Sequence, residues 1–225
     1  CDLEFRRVLF RSWLAFFRAA GRAAVAVESL GGGGVKQLAG LAEKAAAGTL
    51  DRLAAKGVRP RAVRAMILGI PNVGKSSLIN RLLGTATART GDKPGVTRGQ
   101  QWLKIGKNLE LLDTPGVLWP KLEDQEAAFR LAITGAVSDE VFDREKVAAR
   151  LLAMLRRDYP DRLAARYGLV PPLPEDGLAL LERIGARRGC LQSGGRIDLE
   201  KAGRIVLSDF RDGKLGRFTL DSVPE

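Results

Sequence analysis

The 225-residue sequence predicts an α/β domain built around a phosphate-binding loop, followed by a small all-helical domain. Three observations predict it. Ala65–Leu68 is a short apolar run of the kind that makes a buried strand. It leads into Gly69-x-x-x-x-Gly74-Lys75-Ser76, the phosphate-loop pattern, and then into Leu78, Ile79, Leu82 and Leu83 at helical spacing. From Asp143 onward the apolar residues keep a helical period to the end of the chain.

The loop is the centre of the expected site. Backbone N–H groups of Asn72, Val73, Gly74, Lys75, Ser76 and Ser77 converge on one spot and bind phosphate oxygens there. Gly69 and Gly74 permit backbone angles and close approach that a Cβ would block. Lys75 brings positive charge to the β- and γ-phosphates, and the Ser76 hydroxyl is a ligand for Mg2+.

Composition sets the boundaries. Apolar content of 45% and aromatic content of 6% suit an ordinary core. No uncharged apolar run is long enough to span a bilayer. Cys1 and Cys190 have no metal-ligand spacing, and the simple reading is a reducing cytoplasm. Histidine is absent, so no imidazole serves as base, acid or ligand. The formal charge is +11 and unevenly placed: Arg52 to Lys107 holds twelve Lys or Arg against one acid, Asp92. Lys75 is explained by nucleotide. The other eleven favour a polyanionic partner, most simply RNA.

Along the chain, Leu3–Ser12 resembles the translation of a sequencing adapter, so residues 1–12 are set aside as an artefact. Trp13–Ala20 reads as a helix ended at Gly21, and Ala23–Val27 as a short buried strand with a Glu28-Ser29-Leu30 loop. Val35–Ala55 is helical, with Gly48 a weak point. After the phosphate loop and its helix, Gly84–Gln101 has the composition of a mobile loop. Trp102–Ile105 and Leu109–Leu112 form a hairpin across Gly106-Lys107-Asn108.

The second hairpin strand runs into Asp113-Thr114-Pro115-Gly116. A carboxylate at the end of a buried strand, after a phosphate loop, suits a second Mg2+ contact, and the Gly116 N–H suits the γ-phosphate. Farther on, Asp143 caps a helix with Val147, Leu151, Leu152 and Leu155 inward. A short helix ends at Gly168, and a proline-rich link, Val170–Pro174, precedes a helix with Leu178, Leu181 and Ile184 inward. Asp198 caps the last helix, which turns Ala202, Ile205, Val206 and Phe210 inward and Lys201, Arg204 and Arg211 outward. The expected division is residues 13–139 and 140–225.

A guanine-specific protein of this class carries Asn-Lys-x-Asp after Asp-x-x-Gly, and none occurs here. Either the base is not guanine, or the motif order is permuted and that element lies upstream of Trp13. Ala23–Val27 and its loop look like the base-proximal segment that normally closes a GTPase domain, here placed ahead of the phosphate loop.

These residues resemble the bacterial circularly permuted GTPases of ribosome assembly. The matching stretches are Gly57–Ala62, Gly69–Ser76, Thr90-Gly91-Asp92-Lys93-Pro94-Gly95-Val96-Thr97, Asp113–Lys121, Tyr159–Leu163 and Arg188-Gly189-Cys190. They span all but the first dozen residues. The resemblance implies a permuted P-loop GTPase domain, incomplete at its N-terminus, and a helical domain that contacts ribosomal RNA. It implies a cytoplasmic, monomeric GTPase acting on precursors of the large ribosomal subunit with GTP and Mg2+.

It also implies roles. Lys75, Thr97, Asp113 and Gly116 form the catalytic set. Ser76, Thr97 and Asp113 serve Mg2+, the last through water. Ser29 touches guanine, and Asn72 resembles the asparagine that holds K+ in potassium-stimulated relatives. Val117 stands where many GTPases place a water-orienting glutamine. With that residue and histidine both absent, weak binding and slow turnover are expected of this chain. The missing strands of the sheet would leave the phosphate-loop strand with an open edge and Ala23–Val27 detached. Two other readings stand beside this one: a P-loop ATPase or kinase, and a non-catalytic RNA-binding factor that holds nucleotide as a structural ligand.

Overall fold

Val63 and Leu109 alternate with polar neighbours, Arg64 and Glu110, as in a sheet with one covered face, while Leu111 and Leu112 at the end of the central run are both buried. The computed structural model describes residues 2–29, 31–59, 61–84, 101–116, 123–221 and 223. The chain forms two compact units, Cys1–Leu118 with Asp221–Glu225, and Trp119–Leu220.

The first unit opens with α1 (Asp2–Ala19), then α2 (Val35–Ala55), β1 (Val63–Met66), α3 (Lys75–Leu83), β2 (Gln101–Ile105) and β3 (Leu109–Asp113). β3 is central: β1 pairs with it in parallel, Val63 opposite Leu109, and β2 pairs antiparallel, Ile105 opposite Leu109. On the covered face Val63, Ile105, Leu109 and Leu111 pack against Ala42, Ala46 and Leu50 of α2 and Leu82 and Leu83 of α3. Small alanines on α2 let that helix lie close to the strands.

One expectation is corrected here. The helix expected at Trp13–Ala20 is present as the C-terminal part of α1, which runs on from Asp2 because no Gly or Pro interrupts it. Ala23–Val27 is not a strand: among the described residues it pairs with none, and it lies half-buried or exposed. It is detached, as expected, and β1 keeps one edge without a described partner. The stretch expected to be a mobile loop lies, apart from its end residues, outside the described residues.

The second unit contains α4 (Gln125–Thr134), α5 (Arg144–Asp158), α6 (Pro160–Tyr167), α7 (Gly177–Arg187) and α8 (Leu199–Arg211). Aspartates cap four of these helices. The side chains of Asp124, Asp143, Asp176 and Asp198 each accept a hydrogen bond from a first-turn amide. Leu151, Leu152, Leu155, Leu180, Leu181 and Ile184 are fully enclosed in one core. The boundary expected at 139/140 falls inside this unit, since Phe129 and Ile133 of α4 join that core.

Leu178, expected inward, is exposed, because the inward positions of α7 are 177, 180, 181, 184 and 185. Arg211 does not stand on an open outer face. It donates to the Ala132 and Ile133 carbonyls at the end of α4 and pairs with Asp139 at 2.7 Å. Guanidinium at a helix C-terminus meets both orphan carbonyls and the helix dipole. Inside the core, Arg166 grips the buried Asp209 with two hydrogen bonds, of 3.0 and 2.8 Å.

Glycine marks the tightest crossing. A Cβ at Gly177 would lie 2.0 Å from the Ala149 carbonyl oxygen, a backbone atom that cannot step aside. Gly48, in the middle of α2, faces open space. Gly177→Ala should therefore destabilise by about 1–3 kcal/mol through overpacking, whereas Gly48→Ala should stabilise by roughly 0.5–1 kcal/mol through helix propensity. Opposite shifts in the thermal midpoints of the two variants check both.

Candidate functional site

β1 ends at Met66 and the chain turns through Gly69–Gly74 into α3, so the phosphate loop sits at the carboxyl end of a parallel strand. Asn72 has a φ of 56° and Gly74 a φ of 95°. Asparagine is among the few residues with a side chain that accept the left-handed region readily. α3 begins at Lys75, and Leu78 N–H is bonded back to the Gly74 carbonyl. The amides of Lys75, Ser76 and Ser77 thus belong to the open first turn, where the helix dipole adds positive potential. Val73 is exposed, leaving its peptide group as the part that the site uses.

Lys75 is held in place by the loop itself. Its Nζ donates to the Gly69 carbonyl at 3.0 Å and to the Ile70 carbonyl at 2.7 Å. An ammonium has three donors, so one is left for a phosphate oxygen. Burial lowers its pKa from the ordinary lysine value, and the negative charge of Asp113 opposes that shift.

Asp113 ends the central strand and is 1% exposed. Among the described residues neither carboxylate oxygen has a partner at full hydrogen-bond geometry, although the Gln101 side chain and the Thr114 amide lie near enough to act on it. Burial raises its pKa above the usual carboxylate range, and Gln101, Lys75 and the Thr114 amide oppose the shift without cancelling it. A buried acid without well-formed hydrogen bonds is costly. It is the donor type that a hard divalent cation takes, together with a hydroxyl such as that of Ser76. The residues present therefore fit Mg2+.

Two contacts fasten the Asp-Thr-Pro-Gly turn to the phosphate loop. Thr114 is buried and its hydroxyl donates to the Ile67 carbonyl at 2.6 Å, across to the end of β1. A Cβ on Gly116 would lie 2.7 Å from Pro71 N and Cα, so only glycine fits against the loop. The role of Thr114 is absent from the sequence-based expectation. Its only signal is a hydroxyl beside a strand-end aspartate, which is too common to single out.

Structure thus gathers Asn72–Ser77, Lys75, Asp113 and Gly116 at one end of the sheet. Ser29 lies in a separate turn, closed by the Glu28 N–H on the Gly33 carbonyl at 2.8 Å. That turn approaches α3 through Arg81, whose Nε would be 2.8 Å from a Cβ on Gly32. Thr97 and Val117 lie outside the described residues. Two open depressions, of about 790 and 800 Å3, contain none of the loop residues.

Residues 64–161 match the family described as 50S ribosome-binding GTPase. Ribosome biogenesis GTPase A of Bacillus cereus is 47% identical over 96% of this chain and 73% of its own length. The chain belongs to the ribosome biogenesis GTPase A family. The same-named protein of Priestia megaterium is also 47% identical, over 96% of this chain and 75% of its own. Among solved structures, GDP-bound YlqF from Thermotoga maritima matches with a TM-score of 0.57 and 25% identity, over 94% of this chain and 75% of that one. A ribosome biogenesis GTPase A family member is a GTP-binding, GTP-hydrolysing protein, and the loop described above is its P-loop. No helix among the described residues is long and apolar enough to cross a membrane.

The buried carboxylate has a pH signature. Its folded-state pKa is raised, so the native chain binds that proton more tightly than the unfolded chain does. The destabilisation is complete above the folded value, shrinks as pH falls through it, and is gone below the ordinary carboxylate range. In the GTPase free of Mg2+ and nucleotide, Asp113→Asn should raise the melting temperature at neutral pH, by on the order of 2–4 °C per kcal/mol relieved. The gain should vanish near pH 4. Calorimetric melts across pH measure it, and equal midpoints at neutral pH would contradict it.

Proposed function

We propose that this GTPase is a nucleotide-dependent switch that acts on precursors of the large ribosomal subunit, with Mg2+ at the phosphate loop. The observation that carries the nucleotide half is Asp113, a buried carboxylate that no well-formed hydrogen bond among the described residues satisfies, at the end of β3 in the unit that also holds the Lys75 loop. The ribosomal half is supported by the names of the relatives and by the matching family's description. The basic excess of Arg52–Lys107 suits a partner made largely of RNA.

In this reading the amides of Asn72–Ser77 bind the phosphates and Lys75 neutralises their charge. Ser76 and Asp113 hold Mg2+, Asp113 through water, and Thr97 completes that set. When bound, the ion supplies charge neutralisation at the β- and γ-phosphate oxygens. The Gly116 N–H contacts the γ-phosphate, so its turn reports hydrolysis. Ser29 and its neighbours touch guanine, in a permuted order of motifs. The Asn72 side-chain oxygen suits K+, which supplies charge that an arginine finger supplies elsewhere. The helical unit, Trp119–Leu220, contacts ribosomal RNA, and the protein works as a cytoplasmic monomer. The ATPase, kinase and non-catalytic readings have no structural observation in their favour.

Removing the loop's cation tests the core of the proposal. Lys75→Ala should weaken GTP binding in Mg2+ by on the order of 100-fold. Titration calorimetry measures it, and ATP as competitor separates the guanine reading from the adenine one. An affinity for GTP unchanged by the substitution would exclude this loop as the site. Ribosome-stimulated GTP turnover in K+ but not in Na+ is expected if Asn72 holds K+; equal rates would remove that role.

A further inference from the structure

The sheet of the first unit has a second face that the nucleotide does not use. Register places Arg64, Glu110 and Lys104 side by side in one row, and Met66, Leu112 and Trp102 in the next. On this face Trp102 is 51% exposed and Met66 55% exposed. The Arg64 guanidinium lies 5.0 Å from the centre of the Trp102 ring, and its Nε donates to Glu110 at 3.0 Å. Lys104 is exposed beside them. An indole half open to solvent is stacked here by one cation and neighboured by another.

We propose that this face binds single-stranded RNA, with a base stacked on Trp102 and the flanking phosphates met by Arg64 and Lys104. The proposal deepens the ribosomal reading above and rests on it for the RNA's source, an unpaired segment of ribosomal RNA. Three features favour RNA over a protein partner. The centres of protein interfaces are depleted of charged residues, yet here the charged row crosses all three strands. The one acid of that row, Glu110, is paired with Arg64, which leaves the row's net positive charge on Lys104. Sheet faces that present aromatics among cations are a recurrent solution for splayed bases, because every base has a face to stack. Arg64 fixes the indole from one side and sets the plane on which a base lies, while the exposed half of the ring remains for contact.

The test measures binding of the full chain to a fluorescein-labelled oligouridine of about a dozen nucleotides, by anisotropy at several salt concentrations. Trp102→Leu should weaken binding roughly tenfold, and Trp102→Phe should recover most of it, since a phenyl ring still stacks. Lys104→Gln should reduce the slope of log affinity against log salt by about 0.7, the loss of one phosphate contact on a single strand. Melting curves matching the parent show that the variants fold. If the parent binds the oligomer and Trp102→Leu stays within about twofold of it, the sheet face is not the RNA site, and the ribosomal reading stands. If the parent ignores the oligomer but Trp102→Leu loses capture of large-subunit precursors, the proposal is overturned in favour of a ribosomal protein partner. If the parent binds neither, the ribosomal reading itself falls.

Discussion

A buried carboxylate that no well-formed hydrogen bond among the described residues satisfies is the constraint around which the first unit is arranged. Left alone, such a group costs several kcal/mol, so the surrounding structure has to hold it there. Asp113 closes the central strand, and pairing on both sides of β3 fixes that strand's register. The chain then turns at once, and Thr114 and Gly116 tie the turn to the end of β1 and to Pro71. Each of those contacts brings the carboxylate to the loop that carries Lys75. The site stores an unmet demand for positive charge, which in the proposed function a magnesium nucleotide meets. Binding then stabilises the native chain by mass action as well as by contact.

The second unit is built on the opposite principle, with polar groups satisfied locally. Four aspartates cap its helices, Arg211 caps the end of α4, and the buried Asp209 is matched by Arg166. Desolvation pushes the Asp209 pKa up, yet the hydrogen bonds and charges of Arg166 and Lys214 outweigh it and the net shift is downward. This carboxylate is therefore ionised at neutral pH and neutralised in place. Its neighbour Tyr167 is buried in the same region, and burial pushes its hydroxyl well above the ordinary tyrosine range, so it stays neutral. Asp113 and Asp209 are both buried acids, and they differ in whether the chain itself supplies the counter-charge. For Asp209 the chain supplies the counter-charge through Arg166 and Lys214, and for Asp113 it does not.

The most local features were the easiest to read from sequence. Val35–Ala55 was legible to the residue, because Gly34 and Gly57 bracket an unbroken helical repeat. The hairpin of β2 and β3 followed from alternation around Gly106, and the caps at Asp143 and Asp198 from a short acid ahead of an apolar repeat. The phosphate loop was legible because its chemistry demands glycines at fixed offsets. What depends on distant partners was not. Ala23–Val27 has strand composition, but a strand needs a neighbour to pair with, and no described strand provides one. α4 is short, and its apolar positions gain meaning only from the core they enter on α5 and α8. Arg211 looks like a surface cation until Asp139 and two helix-end carbonyls are brought to it. Thr114 matters through one bond to a residue forty-seven positions earlier.

Charge placement gives those two designs a common sense. Residues 119–220 carry eighteen basic side chains against sixteen acidic ones, and many are consumed in pairs such as Arg144–Glu200, Arg156–Glu175 and Arg211–Asp139. Residues 1–118 carry nineteen against eight. A near-neutral surface of local pairs generates little field beyond a Debye length, about 8 Å at physiological salt, whereas a one-sign excess draws a polyanion from farther away. Any long-range attraction to a polyanion therefore originates mainly in the first unit. The unit whose phosphate loop needs cations is also the one that leaves them uncompensated. Both the nucleotide and the RNA are polyanions, so raising salt should weaken encounter with each, and the buried Lys75 contact is screened least.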